Sequence, residues 1–101
     1  MTMKASIKMK KHIPTSISTK TLYELCEAMR ASLDARHYLS AESYARAIYN
    51  LCFDFDNLKD YMREAHSIDT CVMMHDYDGA RKVAQNLMHL ISNEIMSDVL
   101  L

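Results

Sequence analysis

His75 is the residue in this chain best placed to do chemistry. It stands in "HDYDGAR", four residues before Gly79, the one glycine of the sequence. A histidine there could accept a phosphoryl group or bind a metal, and each role demands particular neighbours. Asp76 and Asp78 lie beside it, and two carboxylates repel an incoming phosphoryl group. Cys71 and His75 are four apart, a spacing that puts two metal ligands on one face of a helix. A closed structural site takes about four ligands, and no second Cys/His pair accompanies them. Serine, histidine and aspartate are all present. Yet no nucleophile elbow, no HExxH pair and no glycine-rich phosphate loop appears. The expectation is a chain with no catalytic residue, no metal and no cofactor.

The elements that carry these residues are legible in the composition. The chain has 101 residues, half of them apolar and a quarter charged, with a single proline. That is a globular composition, and one domain is the default for this length. All-β folds spend glycine and proline on turns, so an all-α fold is expected. Leu22, Leu25, Cys26, Met29 and Leu33 recur at helical spacing, which predicts a first helix over about 19–36 with Ser18 or Thr19 as its cap. Ser40 is a candidate cap for a second helix. That helix covers 40–54 and either stops there or continues to 66. Ala41, Tyr44, Ile48, Leu51, Phe55, Leu58 and Met62 alternate by three and four throughout. The poor helix formers of "FDFDN", 53–57, equally allow a joint there and a separate helix over 56–75. A final helix spans 78–97. The domain is therefore 19–101, built of three or four antiparallel helices. Two stacked helical hairpins are one way to arrange them. Residues 1–18 are expected to form a flexible basic arm.

Sliding the sequence along itself until Tyr38 falls on Tyr77 exposes a faint repeat. Ala41 then falls on Ala80 and Ala45 on Ala84. Met29, Leu33 and Ile48 fall on the apolar Ile68, Val72 and Leu87. Each unit reads as a helix, a short turn holding His and Tyr, and a second helix. A period of about 40 residues suits paired-helix repeats.

Two resemblances follow from "HDYDGAR". The His75–Gly79 spacing is similar to the histidine phosphotransfer domain, which implies an exposed histidine on a four-helix bundle. There, a lysine follows the histidine by three residues. Asp78 stands in its place here. The stretch 75–87 resembles the joint and second helix of a tetratricopeptide-type hairpin. This implies that Tyr77 plugs the space between paired helices, that Ala80 lets them approach, and that Asp76 or Asp78 caps the last helix. Gly79 then lies in its first turn, so Tyr77, Gly79 and Ala80 form a structural joint.

Charge and apolar surplus point to binding. The whole chain carries −1, and Lys4, Lys8, Lys10 and Lys11 lie in a stretch without acids, so the rest carries −5. Such a basic arm can track phosphates, and a nucleic-acid-associated regulator is the alternative function. The acidic body opposes a broad nucleic-acid face. No run approaches the roughly 20 apolar residues of a membrane span, so no membrane is expected as a partner. Cys26, Cys52 and Cys71 form no CxxC pair, which fits reduced thiols in a cytoplasmic protein. Nine methionines and a wide apolar face on the last helix favour a small non-catalytic chaperone or adaptor, or a homodimer. Met88, Ile91 and Ile95, with Met74 beside them, are the expected partner-binding strip.

Overall fold

The computed structural model describes residues 17–100, with side chains described through Ile95. Among them are four α-helices: α1 (Ile17–Asp34), α2 (Tyr38–Asp54), α3 (Met62–Met73) and α4 (Tyr77–Leu100). A 3-10 helix, Asp56–Tyr61, leads into α3. The all-α expectation holds, and the joint at "FDFDN" is a true break. Phe55 closes α2 in extended backbone, at φ −112° and ψ 123°. Lys59 then turns back and donates to the carbonyls of Cys52 (3.4 Å) and Phe53. A cation there satisfies orphan carbonyls and complements the negative helix end.

Two of the three reversals, those after α1 and after α3, are the same turn, and the sequence repeat sets one upon the other. After α1, Arg36 N–H donates to the Leu33 carbonyl (3.1 Å) and His37 N–H to that of Ser32 (2.8 Å). After α3, His75 N–H donates to Val72 (3.0 Å) and Asp76 N–H to Cys71 (2.8 Å). Both are Schellman caps, which need a left-handed residue. Arg36 and His75 supply it at φ 62° and 61°. Helix starts shift accordingly. Helix α2 begins at Tyr38, so Ser40 lies within its first turn and caps nothing. The preceding residue, His37, makes no side-chain cap bond.

Burial follows the same repeat. The first hairpin buries Leu22, Cys26, Met29, Leu33, Ala41, Ala45, Ile48 and Cys52. Their equivalents are Tyr61, Ala65, Ile68, Val72, Ala80, Ala84, Leu87 and Ile91, and all of these are buried too. Each helix packs on its neighbours in sequence, and α1 also packs on α4. The four helices thus close into a ring, as in an up-and-down bundle. That closure replaces the open stacking of hairpins that the tetratricopeptide resemblance implies.

Two pairs of equivalent residues meet each other and mark a pseudo-two-fold axis along the bundle. At one end the rings of Tyr38 and Tyr77 stack, with centroids 4.2 Å apart and planes 8° from parallel. At the other end Asn57 donates from Nδ2 to Ser18 Oγ (3.1 Å). Ser18 and Thr19, expected as caps, lie inside α1, and Thr19 Oγ1 also accepts from Asn57 (3.4 Å). Tyr77 packs against the core and also reaches across to the other hairpin through Tyr38. It is half-buried and ties the two hairpins together. Such a stack adds about 0.5–1.5 kcal/mol beyond the area it covers. Tyr38→Ala and Tyr77→Ala should each cost about 1–2 kcal/mol, and a double-mutant cycle in urea should return a coupling of about 0.5–1.5 kcal/mol. Simple additivity would place the rings apart.

Candidate functional site

Gly79 and His75 both take part in the joint that leads into α4. Gly79 N–H donates to Asp76 Oδ1 (3.0 Å), so Asp76 is the cap of α4 and Gly79 its third residue. A Cβ on Gly79 would lie 2.4 Å from Asp76 Oδ2. The glycine keeps the capping carboxylate in place. His75 is exposed in the turn, with its ring 5.8 Å from that of Tyr77. The phosphotransfer resemblance needs this histidine on a helix face, and the turn does not offer one. No group of three or more His, Cys, Asp or Glu residues able to hold a metal occurs among the described residues. Gly79→Ala should be nearly neutral, since about 1 kcal/mol gained in helix propensity offsets about 1 kcal/mol lost from the cap. After Asp76→Ala the same change should stabilise by about 1 kcal/mol in thermal unfolding. An equal effect in both backgrounds would contradict the capping role.

The expected strip on the last helix is core. Ile91 is fully buried and Met88 is 5% exposed, while Ile95 is half-buried. The reason is the ring: α4 packs on both α1 and α3, so its apolar face must be two seams wide. Met88 also accepts a weak contact from Arg30 Nη1 to Sδ (3.9 Å). Replacing Met88 and Ile95 together by Lys should abolish the cooperative thermal transition, because a buried unpaired charge costs several kcal/mol. A folded double variant would return the strip to the surface. Met74, the fourth residue of the expected strip, is the exception: it is 74% exposed at the end of α3. The basic residues Lys4, Lys8, Lys10 and Lys11 lie outside the described residues.

A groove of about 620 Å³ lies between the start of α2 and the end of α3. Leu39, Glu42, Ser43, Arg46, Asp69, Val72 and Met73 line it. Leu39 is 81% and Met73 64% exposed. Arg46 spans the groove, with Nη2 3.6 Å from Asp69 Oδ2 and 3.9 Å from Met73 Sδ. At that exposure the ion pair is worth little, below about 1 kcal/mol.

The pseudo-two-fold axis gives this groove a counterpart of about 480 Å³ between α1 and α4. Four of its residues are the repeat equivalents of lining residues in the first: Leu33 for Val72, Asp34 for Met73, Asp78 for Leu39 and Arg81 for Glu42. The counterpart carries an exposed ion pair of its own, with Arg81 Nη2 3.1 Å from Asp34 Oδ1. In the α2–α3 groove Met73 replaces the acid of that pair. Glu42 replaces its cation and makes no ion pair among the described residues. Leu39 replaces Asp78. Each groove thus carries an Arg–Asp pair, but the lining of the α1–α4 groove is mostly polar and that of the α2–α3 groove mostly apolar.

Cys26 and Cys52 are withdrawn from solvent. Burial, with Cys52 adding to it, pushes the Cys26 thiol up to about 12. Burial also lifts Cys52 to about 11, with Lys59 opposing and Glu64 adding. Both stay neutral at ordinary pH and are poor nucleophiles or ligands. Partial burial, Glu42 and Tyr38 together raise the Tyr77 phenol above its usual value.

Leu39 and Met73 were the residues that sequence reasoning missed. A usable signal existed, because the repeat sets each of them against an aspartate. No protein-family model, no curated protein and no solved structure matches the chain. No helix among the described residues is long and apolar enough to cross a membrane.

Proposed function

We propose that the chain is a non-catalytic protein-binding module of the small chaperone or adaptor type. Its α2–α3 groove takes an amphipathic helix of a partner. The observation that carries this reading is the unequal pair of grooves on one pseudo-symmetric scaffold. Where the α1–α4 groove presents Asp34, Asp78 and Arg81, its twin presents Met73, Leu39 and Glu42, with Leu39 and Met73 in solvent. Exposed apolar side chains grouped in a groove favour a docking site over chance.

The chemistry of the groove defines the occupant. Its helix brings apolar residues at three- and four-residue spacing against Leu39 and Met73. It also brings a Lys or Arg opposite Glu42, the position that Arg81 would mirror. Burying a Leu or Met fully is worth about 1.5–3 kcal/mol. Methionine adapts its shape to what it meets. Two such contacts, set against the costs of association, suit binding no tighter than micromolar, or about 8 kcal/mol. The three free cysteines, two of them buried, suit a reducing cytoplasm.

Replacing Leu39 by a photo-crosslinking phenylalanine analogue should trap the partner in the native host and identify the segment by mass spectrometry. The synthetic segment should then bind the full chain. Leu39→Asp with Met73→Asp, which copies the polar groove, should keep the melting temperature and weaken binding by at least about 30-fold, or about 2 kcal/mol. Full affinity in the folded double variant, or crosslinks to nothing, would overturn the assignment.

A further inference from the structure

The open surface between α2 and α3 does not stop at the groove. Leu39, Glu42, Arg46, Tyr49 and Phe53 follow one another at steps of three and four, which sets them along one side of α2. Contacts join this row to α3. Arg46 reaches Asp69 and Met73, and the Tyr49 ring lies 6.1 Å from that of His66. Tyr49 also stacks on Phe53, with centroids 6.5 Å apart. Phe53 closes the row and is 62% exposed. From Leu39 to Phe53 the row is about 21 Å long, at about 1.5 Å per residue.

The row is symmetric about its middle. Leu39 stands seven positions before Arg46, and Phe53 stands seven after it. An anion accompanies one end and a cation the other. Glu42 lines the groove with Leu39 and makes no ion pair among the described residues. The Lys59 ammonium stands 5.4 Å from the Phe53 ring centroid. It donates to the carbonyls of Cys52 and Phe53 and keeps its charge. Asp54, the acid next to Phe53, is turned about 100° away round the helix.

We infer that a second copy of this chain docks here, its α2 antiparallel to the first across a two-fold axis at Arg46. The inference rests on the reading that the α2–α3 groove takes a helix, and it names that helix. Antiparallel pairing brings the partner's Phe53 to Leu39 and Met73, and Phe53 to the partner's Leu39. Each copy thus offers the same surface, as a two-fold interface requires. The pairing also turns Glu42 toward the partner's Lys59, the kind of cation the groove calls for. Parallel pairing would set Glu42 on the partner's Glu42, and like charges repel. Arg46 comes to the axis already paired with Asp69. Two helices, each about 10 Å across, give a face of about 20 by 21 Å, or about 800 Å² over both copies. Interfaces below about 1,200 Å² belong to weak, reversible complexes, and a Kd of about 10–100 µM suits this one.

The test follows self-association of the full chain by sedimentation equilibrium from about 1 to 500 µM. A reversible dimer is expected. Glu42→Lys and Lys59→Glu, each shown to fold by its thermal transition, should each weaken the dimer at least about tenfold. An equimolar mixture of the two should regain the parent's affinity, because the mixed dimer holds one native and one reversed Glu–Lys contact. A parent that stays monomeric, or a mixture no tighter than its components, would overturn the inference. A photo-crosslinking phenylalanine analogue at Leu39 probes the same pairing without altering Lys59. In the purified chain it should link to 49–53 of a second copy. Links to another protein in the native host, with none in the purified chain, would overturn the second-copy assignment and leave the groove reading standing. No links in either setting would overturn both.

Discussion

The fold depends on two helix reversals that glycine would ordinarily make. Arg36 and His75 adopt the left-handed conformation instead, at a cost of about 1–2 kcal/mol each for a residue with a Cβ. Each is held there by two Schellman bonds of 2.8–3.1 Å. Because both turns have the same geometry, both hairpins leave them at the same angle. Buried positions then coincide from one hairpin to the other, and Tyr38 lands on Tyr77. Without matched turns the ring could not close, and the wide face of α4 would have no second neighbour to cover it.

A shared scaffold makes its departures from symmetry informative. The α1–α4 groove pairs Arg81 with Asp34, while the α2–α3 groove sets Glu42 near Met73 and leaves Leu39 in water. Burial of Ala41, Ala45, Ala80 and Ala84 is identical in the two halves, so the fold itself does not require the difference. Core packing is thus repeated where stability is made and abandoned where the surface is open. The cysteines obey the same division. Cys26 and Cys52 serve as small apolar core residues, and their raised pKa values follow from that burial.

Much of the architecture was legible from residue spacing. Leu22, Cys26, Met29 and Leu33 mark one helix face, "FDFDN" marks the joint, and Asp76 caps where its neighbours imply. What escaped was the neighbourhood of each helix. Periodicity reports how wide an apolar face is, and it does not report how many helices will cover it. The face of α4 therefore looked like surplus, although α1 and α3 both pack on it. Leu39 escaped for the opposite reason, because one leucine in a polar turn makes no pattern. It gains meaning only against Asp78, once the hairpins are superposed. Ser40 shows a third limit: cap residues are common, and the turn at Arg36 and His37 starts α2 before that serine is reached.

The central claim is that two equivalent hairpins meet about an axis marked by equivalent residues. Proton–proton nuclear Overhauser effects in the folded chain test it most directly. Strong cross-peaks between the Tyr38 and Tyr77 rings are expected from centroids 4.2 Å apart, together with cross-peaks from the Asn57 side-chain amide to Ser18 at the far end. A folded chain lacking the ring-to-ring cross-peaks would contradict the paired-hairpin arrangement and, with it, the equivalence of the two grooves.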